Sequence, residues 1–259
     1  YNSLREVKTQ DEPYWRVLQK VTYGSALQPK QAGNNSVADE LLALSLRHPA
    51  DAAYEAAALF WRGDMAYKQH QYENTISYTQ SFITKADGNR RIQYLSPEAT
   101  MDNAYTNMGY ASMALNDYKA AQAYFSKAQQ AQVYDSARYV NSLLREADAV
   151  FMQKDYTRAI ALYDKVIAAN GADADYARFQ KAVILGLAGR TNEKINILQA
   201  LINKTPASAY KYDAHYEIAL AYIEADKYKD AISMLTPLAE AFDKRDLAPK
   251  AWMKIGFAH

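Results

Sequence analysis

The sequence predicts an all-α fold built from repeated antiparallel helix pairs. Only 9 of its 259 residues are Gly and 7 are Pro, while 49% are hydrophobic, so the chain can bury a sizeable core with few breaks. Alanine-rich stretches at 52–59, 120–131 and 214–221 combine high helix propensity with apolar residues three and four positions apart. Val, Ile and Thr form no alternating runs, which argues against strands.

The spacing of small residues indicates the repeat. Such residues recur at intervals of 46, 38, 35, 37 and 37, namely Gly63, Gly109, Ala147, Ala182, Ala219 and Gly256. Nine positions after the first five comes Tyr72, Tyr118, Tyr156, Thr191 or Tyr228, and three positions later comes Thr75, Ala121, Ala159, Lys194 or Ala231. Two helices approach closely only where side chains are small, so we expect each small residue of a first helix to face the later position in the second helix.

The individual elements follow from this register. Helix pairs are predicted at 53–69 with 73–86, 97–115 with 118–131, 136–153 with 156–169, 173–188 with 191–203, and 209–225 with 228–241. Ser96 before Pro97 predicts a helix start, Asn170 before Gly171 a helix end, and Asp173 a cap on the next helix.

The domain organisation has two parts. Residues 1–50 are predicted to form a divergent helix pair or N-terminal cap, with helices over 13–27 and 37–47 separated by a polar linker at 28–35. Residues 51–259 are predicted to hold about five full repeats and the start of a sixth. Because stacked arrays need a cap at each end, we expect the chain to be cut from a longer array.

Several of these repeats resemble the tetratricopeptide repeat. The segments 105–109, 215–222 and 252–256 resemble its opening W-x2-L-G-x2-Y, and Ala121-x3-Phe125 and Ala159-x3-Tyr163 resemble the A-x3-F of its second helix. The resemblance covers about 52–259 and departs from the pattern in the fourth repeat, at Thr191 and Lys194. It implies a right-handed superhelical α-solenoid that binds a protein or peptide in its concave groove.

The same resemblance implies where a ligand would lie. In the resembled family, the inner face of the first helices lines the groove, and the candidate peptide-binding residues at those positions are Phe60, Trp61, Asp64, Tyr67, Asn107, Tyr110, Arg145, Phe151, Phe179 and Tyr216. Large aromatic anchors with a few polar groups suit peptide capture. The Lys, Arg and Asn clamp that holds chaperone C-termini is absent from the paired positions, which include Phe60 with Asp64 and Phe179 with Val183.

The long first interval predicts a second contact region. Its surplus falls at 87–95, between a second helix and Ser96. Loops on a rigid scaffold are common places for binding. We therefore expect Arg90, Arg91 and Tyr94 to help hold a partner, the alternative being a solvated insertion that packs Tyr94 and Leu95.

No catalytic constellation is visible. There is no cysteine, and the 4 histidines are scattered without carboxylates at ligand spacing. Phosphate-loop and nucleophile-elbow motifs are missing, so no catalytic residue, metal or cofactor is predicted. The net charge of +1 gives no field that would attract nucleic acid, and no run of about 18 apolar residues predicts a membrane span.

The function predicted is therefore a non-enzymatic protein-interaction scaffold. The aromatic-rich stretch 58–63 and the Asp-Tyr-x-x-Ala pattern resemble bacterial envelope repeat proteins of the Tol–Pal-associated type. That likeness implies a periplasmic or outer-membrane-associated location, with a cytoplasmic one as the alternative. A carbohydrate-binding or uptake-associated envelope protein, and the repeat part of a larger enzyme, remain alternatives, and the oligomeric state is open.

Overall fold

The computed structural model of the chain describes residues 10–131, 136–240 and 248–258. Within those ranges every regular element is a helix, which confirms the all-α prediction. The fourteen helices are α1 (Glu12–Gln31), α2 (Asn35–Ser45), α3 (Ala52–Lys68), α4 (Tyr72–Ala86), α5 (Arg91–Leu95), α6 (Met101–Ala114), α7 (Tyr118–Gln130), α8 (Ser136–Met152), α9 (Tyr156–Ala169), α10 (Ala174–Leu187), α11 (Thr191–Lys204), α12 (Lys211–Glu224), α13 (Tyr228–Ala239) and α14 (Ala248–Ala258).

The chain divides into two compact units, residues 1–149 and residues 150–259. In the first unit α1 packs on α2, α3 on α4, and α6 on α7, and in the second unit α10 packs on α11 and α12 on α13. Between residues 52 and 240 the observed helix bounds differ from the predicted ones by no more than four residues. Residues 1–9 of the predicted cap, and position 241 of the last predicted pair, lie outside the described residues.

The two helices of each pair are joined by a turn with one backbone geometry, which occurs six times in the described residues. The turn residue has a positive φ of 56–77°: Gly33 at 77°, His70 at 61°, Asn116 at 60°, Lys154 at 64°, Gly189 at 73° and Asp226 at 56°. The N–H of the next residue donates to the carbonyl five positions back, as from Asp117 to Ser112 at 2.9 Å. This pair of features is the Schellman helix end, which satisfies carbonyls that the helix leaves without partners.

A tyrosine at the start of the second helix closes three of these turns. The hydroxyl of Tyr118 donates to Asn116 Oδ1 at 2.6 Å, and that of Tyr228 donates to Asp226 Oδ1 at 2.7 Å. The hydroxyl of Tyr72 lies 2.8 Å from His70 Nδ1. The repeated tyrosines therefore have the structural role at the turn that the repeat pattern predicts.

Close helix contact is confirmed at Gly63 and Gly109, but the nearest side chain is not the predicted one. A Cβ added to Gly63 would lie 2.5 Å from Thr79 Oγ1, and one added to Gly109 would lie 2.6 Å from the Phe125 ring. These partners stand one helical turn beyond the predicted Thr75 and Ala121. At Gly63 the predicted Thr75 is also close, since its carbonyl oxygen would lie 3.5 Å from the added Cβ.

The predicted linker at 28–35 is wrong. Helix α1 continues through Pro29 to Gln31, and the turn is made by Gly33 at a φ of 77°. A proline inside a helix removes one backbone hydrogen bond and crowds the preceding turn, so the packing of α1 on α2 outweighs this local preference. The carbonyl of Pro29 in turn accepts from Asn34 N–H at 2.8 Å, which helps to end the helix.

Two predicted helix starts are also corrected. Ser96 does not begin a helix but ends the short helix α5, because Ile92 is anchored in the core and Ser96 N–H donates to the Ile92 carbonyl at 2.8 Å. The next helix begins later, at Met101. Asp173 occupies the position before α10, but its side chain makes no capping bond. Asn170 does end α9 as predicted, at a φ of 51°.

The core of the first unit lies among α1, α2, α3 and α4. It contains a buried Ala run on α3, and Tyr23, Leu42, Phe60 and Phe82 fill the space around it. In the second unit, Leu198, Leu201 and Ile218 pack α10, α11 and α12, while Leu235, Leu238 and Ala251 pack α13 and α14. Most first helices thus bury one face and leave another half-exposed for the candidate site.

Candidate protein-interaction site

Two tyrosines from successive first helices come together in the first unit. Tyr67 lies in the last turn of α3 and Tyr110 in the third turn of α6, and their ring centroids are 6.3 Å apart with the planes inclined at 46°. Both side chains are half-buried. Burial raises the pKa of Tyr67, and Tyr110 and Tyr72 raise it further, so its hydroxyl stays protonated. The pair presents aromatic carbon and hydroxyl groups together.

A hydrogen-bond network ties Tyr110 to α8. Its hydroxyl donates to Asn141 Oδ1 at 3.0 Å and accepts from Arg145 Nε at 3.3 Å. Arg145 also donates through Nη1 to Asp148 Oδ2 at 2.7 Å. Burial disfavours the guanidinium, but Asp148 and Tyr110 outweigh burial and raise the pKa of Arg145, so the cation is held in place. We call Tyr67, Tyr110, Asn141, Arg145 and Asp148 the Tyr67–Tyr110 face.

Asp64 stands one turn before Lys68 on α3. Its carboxylate accepts from Lys68 Nζ at 2.8 Å. The ammonium of Lys30 lies 2.9 Å from the ring centroid of Trp61. The negative charges of Glu98 and Asp64 favour its protonated form. Burial is the larger influence and lowers the pKa of Lys30. The charges here are matched within the protein and leave no excess of one sign.

Two predicted binding residues are buried. Phe60 is 4% exposed and meets Trp61 and Phe82 edge to face, at centroid distances of 5.1 and 5.3 Å. Trp61 is 7% exposed, and Lys30 covers its ring. These two rings belong to the core of the first unit, whereas Asp64, Tyr67, Asn107, Tyr110 and Arg145 stay at least partly exposed.

The remaining predicted groove residues lie in the second unit. Phe179 stacks on Tyr210 with centroids 5.6 Å apart and planes at 23°. Phe151 lies 6.1 Å from the ring of Tyr156, and Tyr216 is partly buried against the α13–α14 core. Each is half-buried, and each is engaged with an aromatic or apolar neighbour of its own unit.

The predicted loop contact at 87–95 contains the short helix α5. Arg90 is exposed, and Tyr94 is 89% exposed. Arg91, in contrast, forms an ion pair with Asp51 at 3.0 Å, at the start of α3. Burial raises the pKa of Asp51, but the Ala53 N–H and Arg91 outweigh burial and lower it. Arg91 thus fastens α5 to α3, while Arg90 and Tyr94 remain accessible.

Asn141 is a member of the Tyr67–Tyr110 face that sequence reasoning missed. It precedes Arg145 by one helical turn, so the two share a face of α8, and that spacing is the signal that could have found it. Nothing in the repeat pattern distinguishes this Asn from a solvated one. Its role appears only when the Tyr110 hydroxyl is placed beside it.

The described part of the chain has no grouping of three His, Asp or Glu side chains that could hold a metal ion. None of the helices formed by residues 10–131, 136–240 and 248–258 is both long and apolar enough to cross a bilayer.

Comparisons with known proteins agree with this geometry. Residues 106–183 match the tetratricopeptide repeat family model. No curated protein sequence matches the chain. The fold is similar to three solved structures, all below one-fifth sequence identity. One is a tetratricopeptide repeat protein from Parabacteroides merdae, with 15% identity, a TM-score of 0.62, and coverage of 93% of this chain and 90% of that one.

The second is PilW, a type IV pilus biogenesis factor, with 14% identity, a TM-score of 0.60, and coverage of 90% of this chain and 98% of that one. The third is YrrB, a tetratricopeptide repeat protein with an unusual peptide-binding site, with 19% identity, a TM-score of 0.53, and coverage of 76% and 92%. At these identities the likeness shows the fold, which is that of tetratricopeptide-repeat solenoids.

Proposed function

We propose that this chain is a non-enzymatic scaffold that binds a protein or peptide through the Tyr67–Tyr110 face. The observation that carries the proposal is the meeting of two half-exposed tyrosine rings, 6.3 Å apart, from successive first helices. Arg145 and Asn141 fix Tyr110 in orientation, so the surface is formed before a ligand arrives. A preformed aromatic surface lowers the ordering cost of binding.

The fold supports this proposal. A tetratricopeptide-repeat fold and a structural neighbour with a peptide-binding site make a protein or peptide the ligand class that the scaffold suits best. Asp64, Asn107, Arg145, Phe151, Phe179 and Tyr216 remain proposed contacts. Phe60 and Trp61 would act indirectly, by holding α3 in position, because their rings are covered.

Capture from an extract of the source organism, with purified variants as bait, tests the proposal. We expect Tyr67→Ala and Tyr110→Ala each to weaken retention of the partner about thirtyfold, as for an interface anchor worth about 2 kcal/mol. Tyr110→Phe keeps the ring and should retain more binding than Tyr110→Ala. Tyr139→Ala, on the exposed part of α8, is the matched control.

The proposal fails if the wild type and both alanine variants retain the same proteins equally while their helical signals are unchanged. Loss of binding together with loss of the folded state would instead assign both tyrosines to the core. Thermal unfolding of the same samples separates these two outcomes.

A bacterial envelope location belongs to the same proposal. It rests on the sequence resemblance to Tol–Pal-associated repeat proteins, and it places the chain in the periplasm or at the outer membrane, the cytoplasm being the alternative. Fractionation of cells with an antibody against the chain tests it. Recovery with a cytoplasmic marker enzyme would contradict it.

A further inference from the structure

A surface cavity of about 580 Å³ lies in the first unit, and none of the residues that line it belongs to the Tyr67–Tyr110 face. It is bounded by the last turn of α4, the first two turns of α6 and the last turn of α7. Cavities of this size accommodate small ligands or one or two side chains of a peptide.

The floor of this cavity is apolar. Ile83 and Met101 are half-buried and pack against the core, and Tyr105 beside them is also half-buried. The rim is polar and consists of Thr84 and Asp87 from the α4 side and Lys127 and Gln130 from α7. A desolvated apolar centre with a polar rim is the anatomy of protein-interaction hot spots.

The rim carries one charge of each sign on two different walls. Asp87 follows the end of α4, whereas Lys127 lies in the last turn of α7, with its ammonium 5.6 Å from the Tyr105 ring centroid and 5.8 Å from that of Tyr124. Among residues 10–131, 136–240 and 248–258, neither charge has an ion-pair partner within 4.0 Å. Both can therefore pair with a ligand.

A second cavity lies at the equivalent position of another repeat. In the second unit a cavity of about 320 Å³ lies between the end of α9, α10 and the end of α11. Its wall contains Arg178, four positions before Ala182, just as Tyr105 stands four positions before Gly109. Arg178 is already paired with Asp175 at 2.8 Å. The repeat thus forms a cavity at this place in both units, and the residue at the equivalent position is Tyr105 in one and Arg178 in the other.

We propose that the cavity between α4, α6 and α7 is a second docking site, which takes a peptide segment with one large aliphatic side chain flanked by an acidic and a basic residue. The aliphatic side chain covers Ile83, Met101 and Tyr105. The acidic residue pairs with Lys127, and the basic residue pairs with Asp87. A peptide is favoured over a glycan because an Ile and Met floor offers sugar hydroxyls no hydrogen bonds.

Methyl NMR of the full chain tests the proposal with a defined probe, the capped peptide acetyl-Glu-Gly-Leu-Gly-Lys-amide. Isotope labels on Met and Ile methyl groups report from Met101 and Ile83 directly, and a Met101→Leu variant identifies the Met101 signal. We expect both signals to shift with millimolar peptide. They should stay in place with the same peptide carrying Ser for Leu.

The charges are tested by Lys127→Glu and Asp87→Lys. Each reversal should weaken the binding of the leucine peptide about 2- to 5-fold, because exposed ion pairs contribute modestly. Lys119→Glu, on the same helix but outside the cavity, should leave the affinity unchanged. Tyr67→Ala should also leave it unchanged, so failure at this cavity is distinguishable from failure at the Tyr67–Tyr110 face.

Three results would overturn the proposal. The Met101 and Ile83 signals would not move with the leucine peptide, or they would move equally with the serine peptide. In the third case N,N′-diacetylchitobiose would move them and the leucine peptide would not, which would make the cavity a glycan site.

Discussion

The side-chain amide of Gln19 forms hydrogen bonds with both the carbonyl and the N–H of the Asp51 backbone. Its Nε2 donates to the Asp51 carbonyl at 3.1 Å, and its Oε1 accepts from Asp51 N–H at 2.8 Å and from Ala50 N–H at 3.1 Å. Gln19 is buried on α1, and Asp51 is the residue before α3. One side chain therefore fixes the entry of α3 against the N-terminal helix pair.

Replacing Gln19 with Leu should lower the free energy of unfolding by about 2 to 4 kcal/mol, because two backbone N–H groups lose their acceptor in a partly buried place. Urea unfolding followed by circular dichroism measures the change. Gln28→Leu, at an exposed position of the same helix, is the control and should alter stability by about 0.5 kcal/mol or less. Equal effects of the two changes would contradict this role of Gln19.

Gly109→Ala should lower the free energy of unfolding by about 1 to 3 kcal/mol, since the new Cβ would meet ring atoms of Phe125 at 2.6–2.8 Å. Phe125 is fully buried and cannot move aside freely. Gly24→Ala is the matched change in α1, where nothing lies within 4 Å of the new Cβ, and it should stabilise the protein by about 0.5 to 1 kcal/mol. Thermal unfolding of both variants checks the pair.

Asn116→Ala should cost about 1 kcal/mol, because its φ of 60° suits glycine and asparagine but strains a residue with an ordinary Cβ. The change also removes the acceptor of the Tyr118 hydroxyl. Asn116→Gly loses the same acceptor but relieves the backbone, so it should be the more stable of the two variants. If the alanine variant were the more stable, the turn would not depend on this conformation.

Protonation of His215 should destabilise the second unit as the pH falls. His215 is 8% exposed, and its Nδ1 has no partner among the described residues. Burial lowers its pKa, Lys211 lowers it further, and only the backbone of Met234 favours the proton. The folded state therefore binds the proton more weakly than the unfolded chain, in which a histidine has a pKa of about 6.5.

Stability from the neutral His215 is present above the unfolded pKa and is lost as the pH falls through it toward the lower folded pKa. One such proton changes the free energy of unfolding by at most about 1.4 kcal/mol per pH unit. Urea titrations at pH 7.5, 6.5 and 5.5, on the wild type and on His215→Leu, measure the slope. We expect a smaller slope in the variant, and identical slopes would rule His215 out as the source.

The sequence predicted most helix bounds because the small residue, the turn and the tyrosine recur together, as at Gly109, Asn116 and Tyr118. It failed at Pro29 and Ser96, where local preference competes with packing. Burial of Ile92 creates the helix α5 and moves the start of α6, and no local pattern around Ser96 shows that long-range anchor.

The candidate site was predictable to the extent that position in a repeat fixes it. The register placed Tyr67 and Tyr110 on first helices, but it could not show that Lys30 would cover Trp61. Lys30 comes from the N-terminal pair, which the repeat pattern does not describe. The cavity floored by Met101 and Tyr105 was missed because it is formed by three helix ends that are far apart in sequence.

The six left-handed turns between paired helices are sites where the stability of the protein can be changed one turn at a time. His70 and Lys154 adopt the same backbone conformation as Gly189, although a residue with a Cβ is strained in it and glycine is not. Replacing Lys154 with glycine should raise the melting temperature, whereas replacing His70 would also remove its contact with the Tyr72 hydroxyl, which offsets the relieved strain. Neither residue belongs to the Tyr67–Tyr110 face or to the cavity. A thermostable version for screening ligands could therefore be made without altering either proposed binding surface.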